Sequence, residues 1–434
     1  MDTIQSLKPT IIPRAEHTIS RANISPNALK VLYRLRDTGH QACLVGGSVR
    51  DLLLGREPKD FDVCTDAHPE VVHKLFRNCR LIGRRFRLAH IQFGREIIEV
   101  ATFRAQQNND DSDSAVRLDN GRIISDNVYG TIDEDAARRD FTINALYYSI
   151  DDFSLLEYAN GLADLKAGII RLIGDPEQRY REDPVRMLRA VRFAAKLGFR
   201  LDPATEAPIY NCRHMLREVP AARLFDEVLK LFLSGYAVQI FELLRLYGLF
   251  SELFPMTDRC LRTQKNGFPR SLLVRALTNT DTRIMEEKPV TPAFLYAALL
   301  WEPLREHVEH LQATGMDQYV AITTAADKII LNQVRHTALP RRFSLPMREI
   351  WELQPRFINR AGNRPLRLLN HPRFRAAYDF LLLRAEAGED VADLATWWTE
   401  FLAANQDQEN ATPRTTKANE QQRPRRRRAA GGRR

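Results

Sequence analysis

One stretch limits what this chain can become: Leu44 to Val63, reading LVGGSVRDLLLGREPKDFDV. The short apolar run Cys43-Leu44-Val45 reads as a buried strand, and Gly46-Gly47-Ser48 breaks it. Val49, Leu52 and Leu53 then repeat at helical spacing, with Gly55 as the stop. A turn at Pro58 leads into Lys59-Asp60-Phe61-Asp62-Val63, read as a second strand. Strand side chains alternate between faces, so Asp60 and Asp62 share one face and Phe61 turns to the core. Two carboxylates on one face repel each other unless a cation lies between them, and an oxygen-only donor set suits magnesium. A glycine turn at a helix start offers backbone N–H groups to phosphate. Together the parts point to a nucleoside triphosphate cradled by glycines, with its metals on Asp60 and Asp62.

Taken singly, each motif is common: Gly-Gly often marks only a tight turn, and Asp-x-Asp often sits on a solvated loop. The order is what discriminates. GG[GS]xRD, a short spacer and then DxD resembles the class II nucleotidyltransferase superfamily, which contains bacterial poly(A) polymerases and CCA-adding tRNA nucleotidyltransferases. The resemblance implies an α+β chain: a small mixed β-sheet head followed by an all-α neck, body and C-terminal region. The boundaries expected are a flexible arm over 1–20, a catalytic head over 21–174 and a neck over 175–235. A helical RNA-binding body over 236–405 and a disordered Arg-rich tail over 406–434 complete them.

Further segments fall into this frame. Ser25-Pro26 reads as a cap and first helical residue, followed by the stripe Ala28, Val31, Leu32 and Leu35. Leu81 to Phe93 ends as an alternating strand and carries Arg84, Arg85 and Arg87. On charge alone it is equally a solvated basic hairpin, but its IGRRFRLAH string is similar to one that marks the poly(A) polymerase branch. His90 is read as a packed structural histidine. In the β-like run Glu96 to Arg104, Glu99 interrupts apolar neighbours, and an unpartnered buried carboxylate is costly. In the superfamily the acid of an EVATFR strand completes the metal site, and Glu99 matches it.

Residues 105–127 are polar and aperiodic and read as a mobile loop. Thr131-Ile132-Asp133-Glu134 is a capping box. The RRDFTIN string that follows resembles the superfamily's second motif, which implies that Arg139, Asp140 and Asn144 hold the incoming nucleotide, with Asp140 also counted as catalytic. Leu155–Tyr158 and Ile169–Ile173 read as strands around a turn at Gly161. Asp183-Pro184 opens a helix, and Arg186 lies one turn from Asp183, within pairing reach. The resemblance makes this the EDxxR motif, whose Asp183 and Arg186 read the base edge. From 237 to 400 the pattern is almost wholly helical, with the tryptophans as packing residues. His307 and His310 lack a third metal ligand.

The chain is 434 residues long with a net charge of +9. Residues 411–434 hold eight arginines and Lys417 against Glu420, so the remainder is nearly neutral. Such a tail cannot bury apolar surface, and it reads as RNA-attracting through Arg425, Arg426, Arg427 and Arg428 or as merely solubilising. Five cysteines without a CxxC pair, no secretion pattern and no long apolar run point to a cytoplasmic protein without a transmembrane segment.

What the resemblance implies is template-independent addition of AMP from ATP to RNA 3′ ends, on mRNA and small RNAs. Two Mg²⁺ ions would lie on Asp60 and Asp62, with Glu99 completing the site. Gly46, Gly47, Ser48 and Arg50 would grip the triphosphate, and Arg84 and Arg85 would contact RNA. A monomer is expected, with an RNA chaperone or nuclease as candidate partners of the tail. CCA addition to tRNA is the rival within the same superfamily.

Overall fold

The protein was analysed as a computed structural model, which describes residues 8–83, 87–105, 117–119, 122–125, 128–262 and 270–411. Arg84, Arg85 and Arg425 to Arg428 lie outside the described residues.

The head is built on one sheet. Its strands, with the hairpin that accompanies them, are β1 (Thr10–Ile12), β2 (Ala42–Val45), β3 (Asp62–Thr65), β4 (Cys79–Ile82), β5 (Leu88–Phe93), β6 (Glu96–Thr102), β7 (Arg117–Asp119), β8 (Arg122–Ser125), β9 (Leu146–Ser149) and β10 (Leu155–Glu157). The eight-stranded order is β1-β10-β9-β2-β3-β6-β5-β4, while β7 and β8 pair only with each other. Within the large sheet, β3 and β6 run parallel and the remaining neighbours antiparallel.

Helix α1 (Pro26–Asp37) covers one face. Ser25 Oγ accepts the N–H groups of Asn27 and Ala28, so the expected cap forms. Ala28, Val31, Leu32 and Leu35 pack with Leu44, Val63, Ile98 and Val100 in a closed core, each valine, leucine or isoleucine side chain contributing about 1.5–3 kcal/mol on burial. The alternation of β2 and β3 sends Cys43, Val45 and Cys64 to the other face, where they meet Phe103, Ala136, Tyr147 and Tyr158. All five cysteines are buried thiols.

Four local expectations are corrected. The supposed flexible arm instead supplies β1 at the sheet edge, because its extended backbone pairs with β10. Ile19 is buried, and the His17 ring bonds to Phe153 O, which ties residues 17–19 to the head. Lys59 and Asp60 precede the second strand, which starts only at Asp62. The polar loop contains the β7–β8 hairpin. The turn after β10 is a helix, Gly161–Ala167, so Ile169–Ile170 does not return to the sheet but pairs with Arg200–Leu201. A Cβ on Gly161 would lie 2.4 Å from Thr142 O, which is why glycine starts that helix.

Completing the head and neck are α2 (Gly47–Leu53), α3 (Pro69–Leu75), α4 (Ile132–Arg138), α5 (Gly161–Ala167), α6 (Pro176–Glu182), α7 (Val185–Leu197), α8 (Pro203–Cys212) and α9 (Ala221–Phe232). Beyond α9 the described chain is helical to Ala411. One apolar core runs from Phe141 and Ile143 through α7 and α9 to Trp351 and Phe380, so neck and body share packing rather than forming separate cores. A smaller core around Phe357, Phe374 and Trp398 closes the C-terminal end. Among the described residues, no helix is long and apolar enough to cross a membrane.

Candidate active site

The site lies on the α4 face of the sheet, where β2 gives way to α2. Gly46 has φ of 72°, in the left-handed region where a side chain would strain the turn. A Cβ there would sit 3.6 Å from Arg139 Nη1 and 3.9 Å from Asn144 O. Ser48 Oγ donates to Val45 O at 3.1 Å, which fixes the bend. Arg50 is only 2% exposed. Its Nε donates to Asp51 Oδ1 at 2.8 Å and its Nη1 to Asn144 Oδ1 at 2.8 Å, and its guanidinium lies 5.3 Å from the Phe193 ring centre. Arg50 therefore clamps the glycine turn to the RRDFTIN segment and to α7, rather than standing in an open cleft.

Asp62 opens β3 directly abreast of Glu99 on parallel β6, so the two carboxylates share a face. Burial first, and then the charges of Glu99 and Asp60, push the Asp62 carboxyl up to about 6 against the pull of Arg139. Asp60 is exposed just ahead of the strand. His90 pairs with Glu99 across β5 and β6, its Nε2 3.0 Å from Glu99 Oε1. His90 is thus Glu99's partner, not only a packing residue. Among the described residues no three His, Cys, Asp or Glu side chains form a metal-holding group. Magnesium commonly takes one or two protein carboxylates and completes its shell with water and substrate phosphates. The carboxylate oxygens of Asp60 and Asp62 fit that pattern, Asp62 being raised by its acidic neighbours in spite of Arg139.

Arg139 follows α4 and binds inward. Its Nε donates to Asp135 Oδ2 at 3.1 Å and to Tyr147 Oη at 2.8 Å. Asp140 accepts from Arg189 Nε at 2.7 Å, from Phe141 N at 2.8 Å and from Asn144 Nδ2 at 3.3 Å. Burial alone would raise its carboxyl, but the Arg189 guanidinium and these hydrogen bonds hold it down at about 2. Asp140 and Asn144 meet although the segment is not an α-helix: a 3₁₀ turn at Thr142–Asn144 brings them together.

The expected Asp183–Arg186 pair does not form. Asp183 stands in the extended break between α6 and α7, and its Oδ2 accepts Arg223 Nη2 from α9 at 2.7 Å. Arg186 reaches back to Arg179 O at 2.7 Å and Glu182 Oε2 at 3.0 Å. Arg179 in turn donates to the carbonyls of Arg138 and Arg139 at 2.6 Å, tying neck to head.

Sequence reasoning missed Arg189, Arg192, Lys196 and Arg223. Burial together with the neighbouring charge of Arg189 lowers Arg192. Lys196 is lowered by burial and by Arg50, Arg192 and Lys59, with Asp51 opposing. Cations crowded in this way are complementary to a polyanion. The signal was present as basic residues at 186, 189, 192 and 196, a spacing that stacks them along one side of a helix. Arg223 gave no local signal, because its partner is distant in sequence.

Three protein-family models match: "Poly A polymerase head domain" over residues 42–171, "Probable RNA and SrmB- binding site of polymerase A" over 198–261, and "Polymerase A arginine-rich C-terminus" over 314–432. The chain is 52% identical to poly(A) polymerase I of Escherichia coli O6:H1 over 405 residues, covering 92% of this chain and 87% of that one. A CCA-adding enzyme of Lactobacillus helveticus is 39% identical over 216 residues, 50% of this chain and 52% of its own length. Among solved structures, the Bacillus stearothermophilus CCA-adding enzyme in complex with CTP matches in fold, with a TM-score of 0.56 and 24% identity over 88% of this chain and 83% of that one.

Proposed function

The chain belongs to the bacterial poly(A) polymerase I family of nucleotidyltransferase enzymes, and on that premise we propose that it extends RNA 3′ ends with AMP from ATP, releasing pyrophosphate. The observation that carries the reading is the side-by-side register of Asp62 and Glu99 on parallel strands, which with burial pushes the Asp62 carboxyl up to about 6.

Asp60 and Asp62 would hold Mg²⁺, with Glu99 at their side and the His90 ring next to the Glu99 carboxylate. Bound there, two Mg²⁺ ions supply Lewis-acid activation of the RNA 3′-hydroxyl and neutralise the leaving pyrophosphate. Arg192, Lys196 and Lys59 attract the triphosphate, and the Gly46-Gly47-Ser48 turn seats it. Arg139 and Asp140 position the ribose end, and the Arg50–Asn144 bond keeps the turn in register with them. Asp183 and Arg186, each braced by a neighbour, would read the base edge. Positioning and charge supply most of what in-line transfer needs.

On this reading the enzyme acts on mRNA and small RNAs in polyadenylation and turnover, as a cytoplasmic monomer. Its arginine tail would recruit an RNA chaperone or nuclease. The test offers Mg²⁺, an oligoadenylate primer and each nucleotide singly. Long extension with ATP alone supports the proposal; extension of tRNA that requires CTP and halts after a single CCA overturns it.

A further inference from the structure

The C-terminal helical region contains a cavity lined by basic side chains. Between the start of helix Gln318–Gln333, the 3₁₀ turn Gln354–Ile358 and helix Arg364–Leu369 lies a cavity of about 280 Å³. Tyr319, Arg356, Asn359, Arg364, Arg367 and His371 line it, and no acidic side chain does. Asp317, its neighbour in sequence, is occupied in capping helix Gln318–Gln333 through the N–H groups of Tyr319 and Val320.

The cations stand on firm footing. Arg356 is flanked by buried Pro355 and Phe357, and Arg367 precedes buried Leu368. Among the described residues, no side-chain hydrogen bond or ion pair occupies Arg356 or Arg367. Arg364 is held by Asn359 Oδ1 at 3.2 Å, and Asn359 donates in turn to Tyr319 Oη at 3.1 Å. His371 Nδ1 accepts from Arg373 N at 3.1 Å, which leaves Nε2 as its donor.

Tyr319 is 42% exposed. An uncompensated set of guanidinium groups beside an exposed aromatic ring matches the two faces of a single strand, phosphate and base. The volume falls just below the roughly 300 Å³ at which whole-ligand pockets begin, so it suits one nucleotide of a longer chain. We propose that this cavity holds a single-stranded stretch of the acceptor RNA upstream of its 3′ end. A base stacks on Tyr319, and phosphates are bound by Arg356 and Arg367. The inference rests on the RNA-extending reading only for the identity of the polymer.

The test uses the full chain with Tyr319→Ala, Tyr319→Phe and the double variant Arg356→Glu/Arg367→Glu. Each is assayed for ATP-dependent extension of a trinucleotide and of a long oligoadenylate, and for oligoadenylate binding by fluorescence anisotropy without nucleotide. Loss of one stack should raise KM for the long primer about tenfold in Tyr319→Ala. The trinucleotide KM, the KM for ATP and kcat should stay unchanged. Tyr319→Phe keeps the ring and should behave like the parent. The arginine variant should lower the salt slope of binding by about 1.4, two phosphates' worth for a single strand. Three outcomes overturn the proposal: long-primer KM unchanged; Tyr319→Phe as impaired as Tyr319→Ala, which would make the Asn359 bond structural; or intact RNA binding with loss of a protein partner. If the parent extends no primer, the catalytic reading falls while anisotropy still decides this site.

Discussion

Two acidic places in the molecule are held in opposite ways. On the sheet, Asp62 and Glu99 are pressed together with Asp60 nearby, and the Asp62 carboxyl rises to about 6. At the joint between head and neck, Asp140 meets Arg189 and drops to about 2, and Asp183 meets Arg223. The difference separates chemistry from architecture. At the first place like charge and burial outweigh the pull of Arg139, whereas at the second a paired carboxylate holds two elements together.

The largest effect that could break this comparison is on Asp62. Asp62→Asn should lower kcat about a thousandfold, the several kcal/mol a metal supplies to the transition state. Thermal stability should stay level or rise, because the fold disfavours the ionised form. A matched loss of stability, or retained activity, would place Asp62 with the architectural acids. Arg189→Met should do the reverse and cost about 3 kcal/mol in urea unfolding, since it strands a buried carboxylate. Adding Asp140→Asn should recover part of that loss, because the two residues share one interaction.

The pH dependence sharpens the contrast with a smaller effect. Asp140 is depressed in the folded state, so its contribution is fully present above the ordinary carboxylate pKa of 3.8 and disappears as pH falls towards 2. Acid unfolding of Asp140→Asn should therefore be shallower than that of the parent in this window; parallel curves would refute the pairing. Gly161→Ala, forced against Thr142 O, should cost about 2 kcal/mol and raise the KM for ATP by displacing Asn144. Thr131→Ala removes a cap that binds Glu134 N at 3.3 Å and should cost about 1 kcal/mol, with little change in KM.

What was legible in the sequence was local. The Ser25 cap, the Thr131–Glu134 box and the Gly46 turn each depend on a few adjacent residues, and all three form. Asp62 and Glu99 could be brought together by the resemblance, but not their register or the His90 contact, which arise from strand pairing. Asp183 and Arg186, adjacent on paper, bind other partners because a chain break and α9 compete for them. The β1 strand was unreadable because it lacks its own pattern and is specified by β10. Helix α5 was hidden by a glycine that reads as a turn but marks a close approach.

The single parallel pairing in the eight-stranded sheet has a lasting consequence. Parallel neighbours cannot be joined by a tight hairpin, so β3 must leave the sheet and return as β6. The detour carries α3 and the β4–β5 pair, with β5 laid against β6 on the side away from β3. Sequence carried on α3 and β4 can therefore change without disturbing Asp62 and Glu99, because the ladder bonds between β3 and β6 fasten their two strands directly to each other.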